Sequence, residues 1–156
     1  MDWDATRPGE IETPLPEKTD AGVYFIGRIR TPYPTRNECP RQGMGEGPIC
    51  RVEIDARWRP ALRGLENYRR VELLYWMHQA RRDLLLQSPH SDKGARGTFA
   101  LRSPVRPNPI ATSLVDLVAV EPDALLVRSL DCVDGTPLID IKPDRCSYSP
   151  PSPSRD

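Results

Sequence analysis

The chain has 156 residues and a formal net charge of zero, with 38% hydrophobic and 28% charged residues. This suits one globular domain with a buried core, and the neutral balance taken alone argues against a dedicated nucleic-acid binder. The four cysteines (Cys39, Cys50, Cys132, Cys146) contain no C-x-x-C pair and there are two histidines, so no metal and no disulfide framework are expected. No stretch approaches the ~18 apolar residues of a membrane span and no apolar leader core opens the chain, so no membrane partner and a cytoplasmic location are expected.

In chain order, residues 1–21 are polar, acidic and punctuated by proline, with neither a helical nor a strand period. Asp2, Asp4, Glu10, Glu12, Glu17 and Asp20 against Arg7 and Lys18 give the first 20 residues a charge of −4 and leave +4 on the other 136. A flexible acidic arm is expected there. The +4 permits RNA binding, and 19 of the 22 basic residues are arginine, the side chain suited to bidentate phosphate contacts. The same excess also arises from base composition alone.

The folded part is expected over 22–146. Val23–Ile29 reads as a first strand, stopped by Thr31-Pro32-Tyr33-Pro34. Ile49–Ile54 alternates, with Cys50, Val52 and Ile54 on one face, and reads as a half-buried strand. Pro60–Tyr68 suits a short helical turn with Pro60 at its first position. Val71–Met77 is an apolar run broken only by Glu72, expected as a central strand. Gln79–Gln87 is open between helix and extended chain. Gly97–Arg102, Ser113–Val120, Leu125–Leu130 and Leu138–Ile141 follow as strands, and residues 147–156 read as a disordered Ser/Pro tail. The pattern predicts a mainly β protein, an antiparallel β-barrel with short helical decorations. A doubly wound nucleotide-binding fold is excluded, because no G-x-G-x-x-G follows the first strand and no P-loop is present.

Three segments carry more polar chemistry than a core requires. Cys39-Pro40-Arg41-Gln42-Gly43 is a stiff turn presenting a guanidinium and an amide, although a lone P-R-Q-G is also an ordinary solvated loop. In 97–114, Arg102, Ser103, Arg106 and Asn108 alternate with Pro104, Pro107 and Pro109. Three prolines forbid a helix and hold the polar groups in extended backbone, which lowers the entropy lost on binding. A structural crossover would have the same composition. In 129–143, Asp131, Asp134 and Asp140 flank the Asp134-Gly135 turn dipeptide, where carboxylates either accept ligand hydroxyls or cap the backbone.

Taken together these segments resemble the TrmO/TsaA-like methyltransferases. The likeness rests on Ile26 to Tyr33, Pro40-Arg41-Gln42, Arg63-Gly64-Leu65-Glu66-Asn67-Tyr68, His78-Gln79, the R-S-x-x-R-P-N-P-I run from Arg102 to Ile110, and the closing L-D-x-x-D-G-T-P-x-x-D-I-K-P from Leu130 to Pro143. It covers about residues 24–143. One departure is Ala111, where the family motif has glycine. Another is the end of the chain, since some bacterial members carry a second C-terminal domain.

The resemblance implies a β-barrel that forms a homodimer, S-adenosyl-L-methionine as cofactor, and methyl transfer to N6 of N6-threonylcarbamoyladenosine at position 37, in the tRNA anticodon loop. It implies cofactor binding by Pro40, Arg41, Gln42, His78, Gln79, Arg102, Ser103, Asp131, Asp134, Gly135 and Thr136. Catalytic roles fall to His78, Arg102, Arg106 and Asn108, and substrate binding to Arg106, Asp140 and Lys142. The acceptor nitrogen is a poor nucleophile until it loses a proton, so a base such as His78 is expected, or an arginine that stabilises developing charge. All three segments should converge in one pocket. The alternatives are a methyltransferase of the same scaffold acting on a small molecule, and a non-catalytic nucleotide- or RNA-binding barrel whose binding would fall with salt.

Overall fold

The computed structural model describes residues 2–41, 46–89 and 94–151. It divides into two compact units, one of Val23–Trp76 with Thr112–Asp156 and one of Met1–Gly22 with Met77–Ala111. Among the described residues there is no α-helix; short 3-10 turns decorate strands. In chain order the strands are β1 (Ile11–Glu12), β2 (Gly27–Arg30), β3 (Ile49–Ile54), β4 (Arg70–Trp76), β5 (Leu84–Gln87), β6 (Arg96–Gly97), β7 (Ile110–Val120), β8 (Ala124–Arg128) and β9 (Thr136–Pro143).

Six strands close an antiparallel barrel in the order β2-β3-β8-β7-β4-β9. Closure leaves no unpaired edge, and alternation decides which side chains face inward. Ile29, Val52, Val71, Leu73, Leu125, Val127 and Leu138 are fully buried and Val115 nearly so, while their neighbours Arg28, Arg51 and Glu72 lie outside. β4 shows the rule most plainly. Its apolar run is not buried on both sides as a central sheet strand would be; Val71, Leu73 and Tyr75 are buried while Glu72, Leu74 and Trp76 are only half-buried. Gly27 is required where β2 passes β3, because a Cβ there would stand 1.9 Å from the Glu53 carbonyl oxygen.

Several boundaries differ from the sequence expectation. The first strand begins at Gly27 rather than Val23, and Val23, Tyr24 and Phe25 stay exposed. Pro60 sits inside a 3-10 run, Ala56–Leu62, rather than at a first helical position. Gly97–Arg102 is not a strand: only Gly97 pairs, and Thr98–Ala100 turns as a 3-10 helix closed by the Leu101 amide on the Thr98 carbonyl at 3.2 Å. At the other end, Ser147 is buried, Tyr148 bridges to Tyr68, and the Ser149 amide donates to Asn67 at 2.6 Å. Residues 147–149 are therefore tied to the barrel rather than part of a disordered tail; 152–156 lie outside the described residues.

The second unit holds the sheet β1-β5-β6. The acidic N-terminal stretch supplies β1, which pairs with β5, and the Thr13 amide donates to Asp83 at 2.8 Å. Arg81 explains the attachment. Its Nη1 donates to the Asp4 carbonyl (2.7 Å) and Thr6 Oγ1 (3.0 Å), its Nη2 to Glu12 (2.8 Å), and its Nε to Asp83 (2.7 Å). One guanidinium thus bonds several turns of an otherwise periodless segment, which composition alone does not show.

Candidate functional site

In the barrel unit two of the motif segments meet. The chain leaving β2 runs through Thr31 and Tyr33 towards Cys39, and the turn before β9 is laid against it. The Asp134 amide donates to the Tyr33 carbonyl at 2.8 Å, the Thr31 amide to Asp134 Oδ1 at 3.1 Å, and Thr31 Oγ1 to the Cys132 carbonyl at 2.7 Å. The Gly135 amide reaches Ile29 at 2.8 Å, with Gly135 at φ +81°, a conformation that glycine adopts without strain. Thr136 caps the turn by donating Oγ1 to Val133 at 2.6 Å. Asp134 also lies 3.9 Å from the Arg30 guanidinium. Asp134, Gly135 and Thr136 are therefore fixed by backbone bonds.

Asp131 is the focus of this region. It is half-buried between Leu130 and Cys132, both about 1% exposed. Tyr75, 2% exposed on β4, donates its phenol to Asp131 Oδ1 at 3.3 Å and shares a 2.7 Å bond with Ser113 Oγ on β7. Burial, and then the Asp131 charge, hold the Tyr75 phenol above its ordinary range. Burial pushes the Cys132 thiol up to about 12, opposed by a bond with Thr136 and assisted by Asp131. Tyr33 and Cys39 are likewise raised, by burial first and with Asp131 contributing. Four groups thus feel one carboxylate: Tyr75 on β4, Cys132 next to it, and Tyr33 and Cys39 on the chain that leads to the Pro40-Arg41 turn. Pro40 is half-buried and Arg41 exposed; Gln42 lies outside the described residues.

The turn is entered through Ser129, whose φ of 75° is the one positive value at a described non-glycine residue. Such a conformation is held only where its surroundings impose it. Ala111 has no such φ and lies within β7, so alanine serves where the family motif has glycine. Asp140 and Lys142, two apart on β9, pair with each other at 3.2 Å and are about half exposed.

The remaining candidates belong to the second unit. His78 and Gln79 are exposed at the centre of a turn closed by the Ala80 amide on Met77 at 3.0 Å. The proline-rich loop is braced from within. Arg106 Nη1 donates to the carbonyls of Leu101 and Ser103, both at 2.9 Å, and Ser103 Oγ accepts from the Val105 amide at 3.2 Å. Buried Gln87 donates to the Val105 carbonyl at 2.7 Å and to Thr98 at 2.9 Å. Arg82 donates to the Pro107 carbonyl at 2.6 Å, with Asn108 Oδ1 at 3.5 Å. Arg102 is exposed and has no ion pair among the described residues.

Sequence reasoning missed Tyr75, Ser113, Thr31, Arg82 and Gln87. Only Tyr75 carried a signal, since a phenol in an otherwise apolar strand needs a polar partner.

The model of the tRNA-methyltransferase O (TrmO) N-terminal domain matches residues 28–148. The chain belongs to the TrmO family. It is 50% identical over 149 residues to a probable S-adenosyl-L-methionine-binding protein, VirR, of Rhizobium radiobacter, covering 96% of this chain and 85% of that protein. The tRNA (adenine(37)-N6)-methyltransferase of Escherichia coli K12 is 39% identical over 129 residues, 76% of this chain and 55% of that enzyme. The crystal structure of TrmO from Pseudomonas aeruginosa matches with a TM-score of 0.65 at 33% identity, over 80% of this chain and 56% of that one. This TrmO-family chain thus spans most of its R. radiobacter relative but little more than half of the E. coli enzyme and the P. aeruginosa structure. Among the described residues no cluster of His, Cys, Asp and Glu has the arrangement of a metal site, and no helix is long and apolar enough to cross a membrane.

Proposed function

We propose that this chain is an S-adenosylmethionine-dependent methyltransferase acting on N6 of adenosine 37 of tRNA, with N6-threonylcarbamoyladenosine as acceptor. The observation that carries the reading is the clamping of the Asp131–Thr136 turn onto the segment that leads from β2 to Pro40-Arg41, in a chain of the TrmO family. Half identity to a named S-adenosylmethionine-binding protein supports the cofactor, and likeness to a named tRNA (adenine(37)-N6)-methyltransferase supports the reaction.

The residues of the barrel unit fit a nucleoside cofactor. A half-buried carboxylate held by a buried phenol, next to apolar Leu130 and Val133, supplies a hydroxyl acceptor beside an apolar wall. When bound, S-adenosylmethionine supplies an electrophilic methyl group on a sulfonium. The chain must then orient the acceptor and take up its proton. Asp131 accepts hydrogen bonds from the hydroxyls and is kept in one direction by Tyr75. Asp134, Gly135 and Thr136 shape the turn, and Pro40, Arg41 and Gln42 complete the cofactor contacts. His78 takes the proton from the acceptor nitrogen. Arg106 holds the proline-rich loop closed, which leaves Arg102 as the guanidinium on that loop for a carboxylate or phosphate, with Asn108 as an amide contact. Asp140 and Lys142 serve the tRNA. The outer face of β7 exposes Leu114 by 54% and Val118 by 45%, which supports a homodimer, and a tRNA substrate supports a cytoplasmic location.

The test is calorimetry with S-adenosylmethionine followed by transfer of labelled methyl to tRNA carrying or lacking the threonylcarbamoyl group. Micromolar binding and transfer only to the carbamoylated tRNA are expected. A folded sample that binds no cofactor rejects the enzyme, and transfer to unmodified tRNA alone rejects the acceptor.

A further inference from the structure

The segment after β3 forms a ledge on the barrel unit. Ala56–Leu62 winds as a 3-10 helix, in which residues three apart eclipse and the rise is ~2 Å per residue. Leu62 at its end is buried against the barrel unit, and Arg59, itself exposed, is tied down by donating Nε to the Ile54 carbonyl at 2.9 Å. Arg57 and Pro60, three apart, are both exposed. The Arg63 amide bonds the Pro60 carbonyl at 3.5 Å and carries the same spacing one turn further. Arg57 and Arg63 then stand on one edge about 12 Å apart at the 3-10 rise. Both are exposed, and among the described residues neither has a carboxylate partner. The nearby acid Glu66 is bonded locally to the Gly64 amide at 3.0 Å, while Asp55 precedes the helix and is exposed.

Trp58 is half-buried, and its ring props that of Tyr24 with centroids 5.9 Å apart and a tilt of 38°. Tyr24 is 77% exposed. The neighbouring Phe25 lies against Trp76 with ring centroids 6.3 Å apart, which anchors the chain on the C-terminal side of Tyr24. A tyrosine ring left this open, propped by Trp58 of the same turn that carries Arg57 and leads to Arg63, has the parts of a single-strand platform: a π-face for a base and, on the propping segment, cations for the backbone. An acidic peptide would use the cations and leave the ring idle.

We propose that Tyr24, propped by Trp58, and Arg57 with Arg63 form a docking surface for a single-stranded stretch of the substrate RNA. One base stacks on Tyr24, and the two arginines meet different phosphates. The proposal rests on the tRNA reading above and adds to it a grip on RNA outside the motif loops.

The test measures tRNA binding by fluorescence anisotropy across a salt series, and KM for tRNA in methyl transfer, for the whole chain. Tyr24→Ala should weaken tRNA binding about tenfold, and Tyr24→Phe should retain it, since stacking needs only the ring. The double variant Arg57→Ala/Arg63→Ala should lower the slope of log K against log salt by about 1.4. S-adenosylmethionine affinity and the thermal midpoint should not change in any of them, because these side chains project from the surface. If the wild type methylates tRNA while Tyr24→Ala and the double arginine variant keep its KM and salt slope, this surface is wrong and the proposed function stands. If the wild type binds S-adenosylmethionine but no tRNA, both the substrate reading and this surface fall. Competition by polyglutamate as strong as that by RNA would also overturn the proposal, by assigning the patch to acidic protein.

Discussion

Replacing Gly27 by alanine tests the fold and the site together. A Cβ at this position would lie 1.9 Å from the Glu53 carbonyl oxygen, 3.0 Å from its carbon and 3.2 Å from the Ile54 Cα. These are backbone atoms of β3 and no side chain can swing away. A methyl group keeps roughly 3.5 Å from non-bonded heavy atoms, so β2 and β3 must part by about 1.5 Å. That takes ladder bonds near the Gly27–Ile54 pair, and the adjoining Asp55 amide to Ile26 carbonyl bond of 3.0 Å, beyond hydrogen-bonding range. Losing two such bonds at about 1 kcal/mol each, with strain of about 1–3 kcal/mol, gives a destabilisation of about 3–5 kcal/mol. Urea unfolding followed by tryptophan fluorescence measures it, with Gly22→Ala as control, since nothing lies within 4 Å of a Cβ there. The Gly135 amide hangs on Ile29, two residues along β2, so S-adenosylmethionine affinity should fall in the same variant. A Gly27→Ala protein within 1 kcal/mol of wild type would refute the close approach of the strands.

Tyr75→Phe removes one donor from Asp131 and should weaken S-adenosylmethionine binding several-fold by calorimetry while costing about 1 kcal/mol of stability; unchanged affinity would separate Asp131 from the cofactor. Arg106→Ala leaves two loop carbonyls without their donor and should raise amide exchange across 101–106, at a cost of about 2 kcal/mol; a role limited to contacting substrate would leave exchange unchanged. The bidentate bond from Arg81 holds the Asp83 carboxyl below its usual range. The folded pKa is thus below the unfolded one of ~3.9, so the contribution is complete above that pH and is lost as pH falls through the folded value. Asp83→Asn should therefore be less stable than wild type by about 1 kcal/mol at pH 7, with the gap closing below about pH 4; a gap that persists at pH 2 in urea titrations would contradict the ion pair.

The barrel was legible in the sequence where one face of a strand is buried and the other is wet. Ile49–Ile54 follows its alternation, with Cys50, Val52 and Ile54 buried. Reading failed where side-chain bonds override local pattern. Gly97–Arg102 has strand-like residues, but Thr98 donates its hydroxyl to the Leu84 carbonyl at 2.6 Å and the chain turns. The acidic N-terminal segment has no period of its own and is tied down by Arg81, some 70 residues away, which no local window detects. The site was legible as motif segments but not as connections. The Asp131 turn was visible, while its bonds to Tyr75 and Thr31 were not, since each spans a long separation in sequence, and Ser113 is linked only through Tyr75. Arg106, which the resemblance assigns to catalysis and substrate, also bonds the Leu101 and Ser103 carbonyls of its own loop, a bracing role that the motif does not show.

β9 emerges directly from the turn that carries Asp131 to Gly135, and its first residues pair with β2 while its later ones pair with β4. The last stave to leave the ribosome is therefore the one that shuts the cylinder, and its leading end is the turn clamped onto the chain leaving β2. A nascent chain halted before Thr136 has neither a sealed sheet nor the turn locked onto β2. Since residues near 28 must wait for residues near 137 to be made, the span across which this closure must be found makes for slow folding, and ligand that arrives early has nothing to hold.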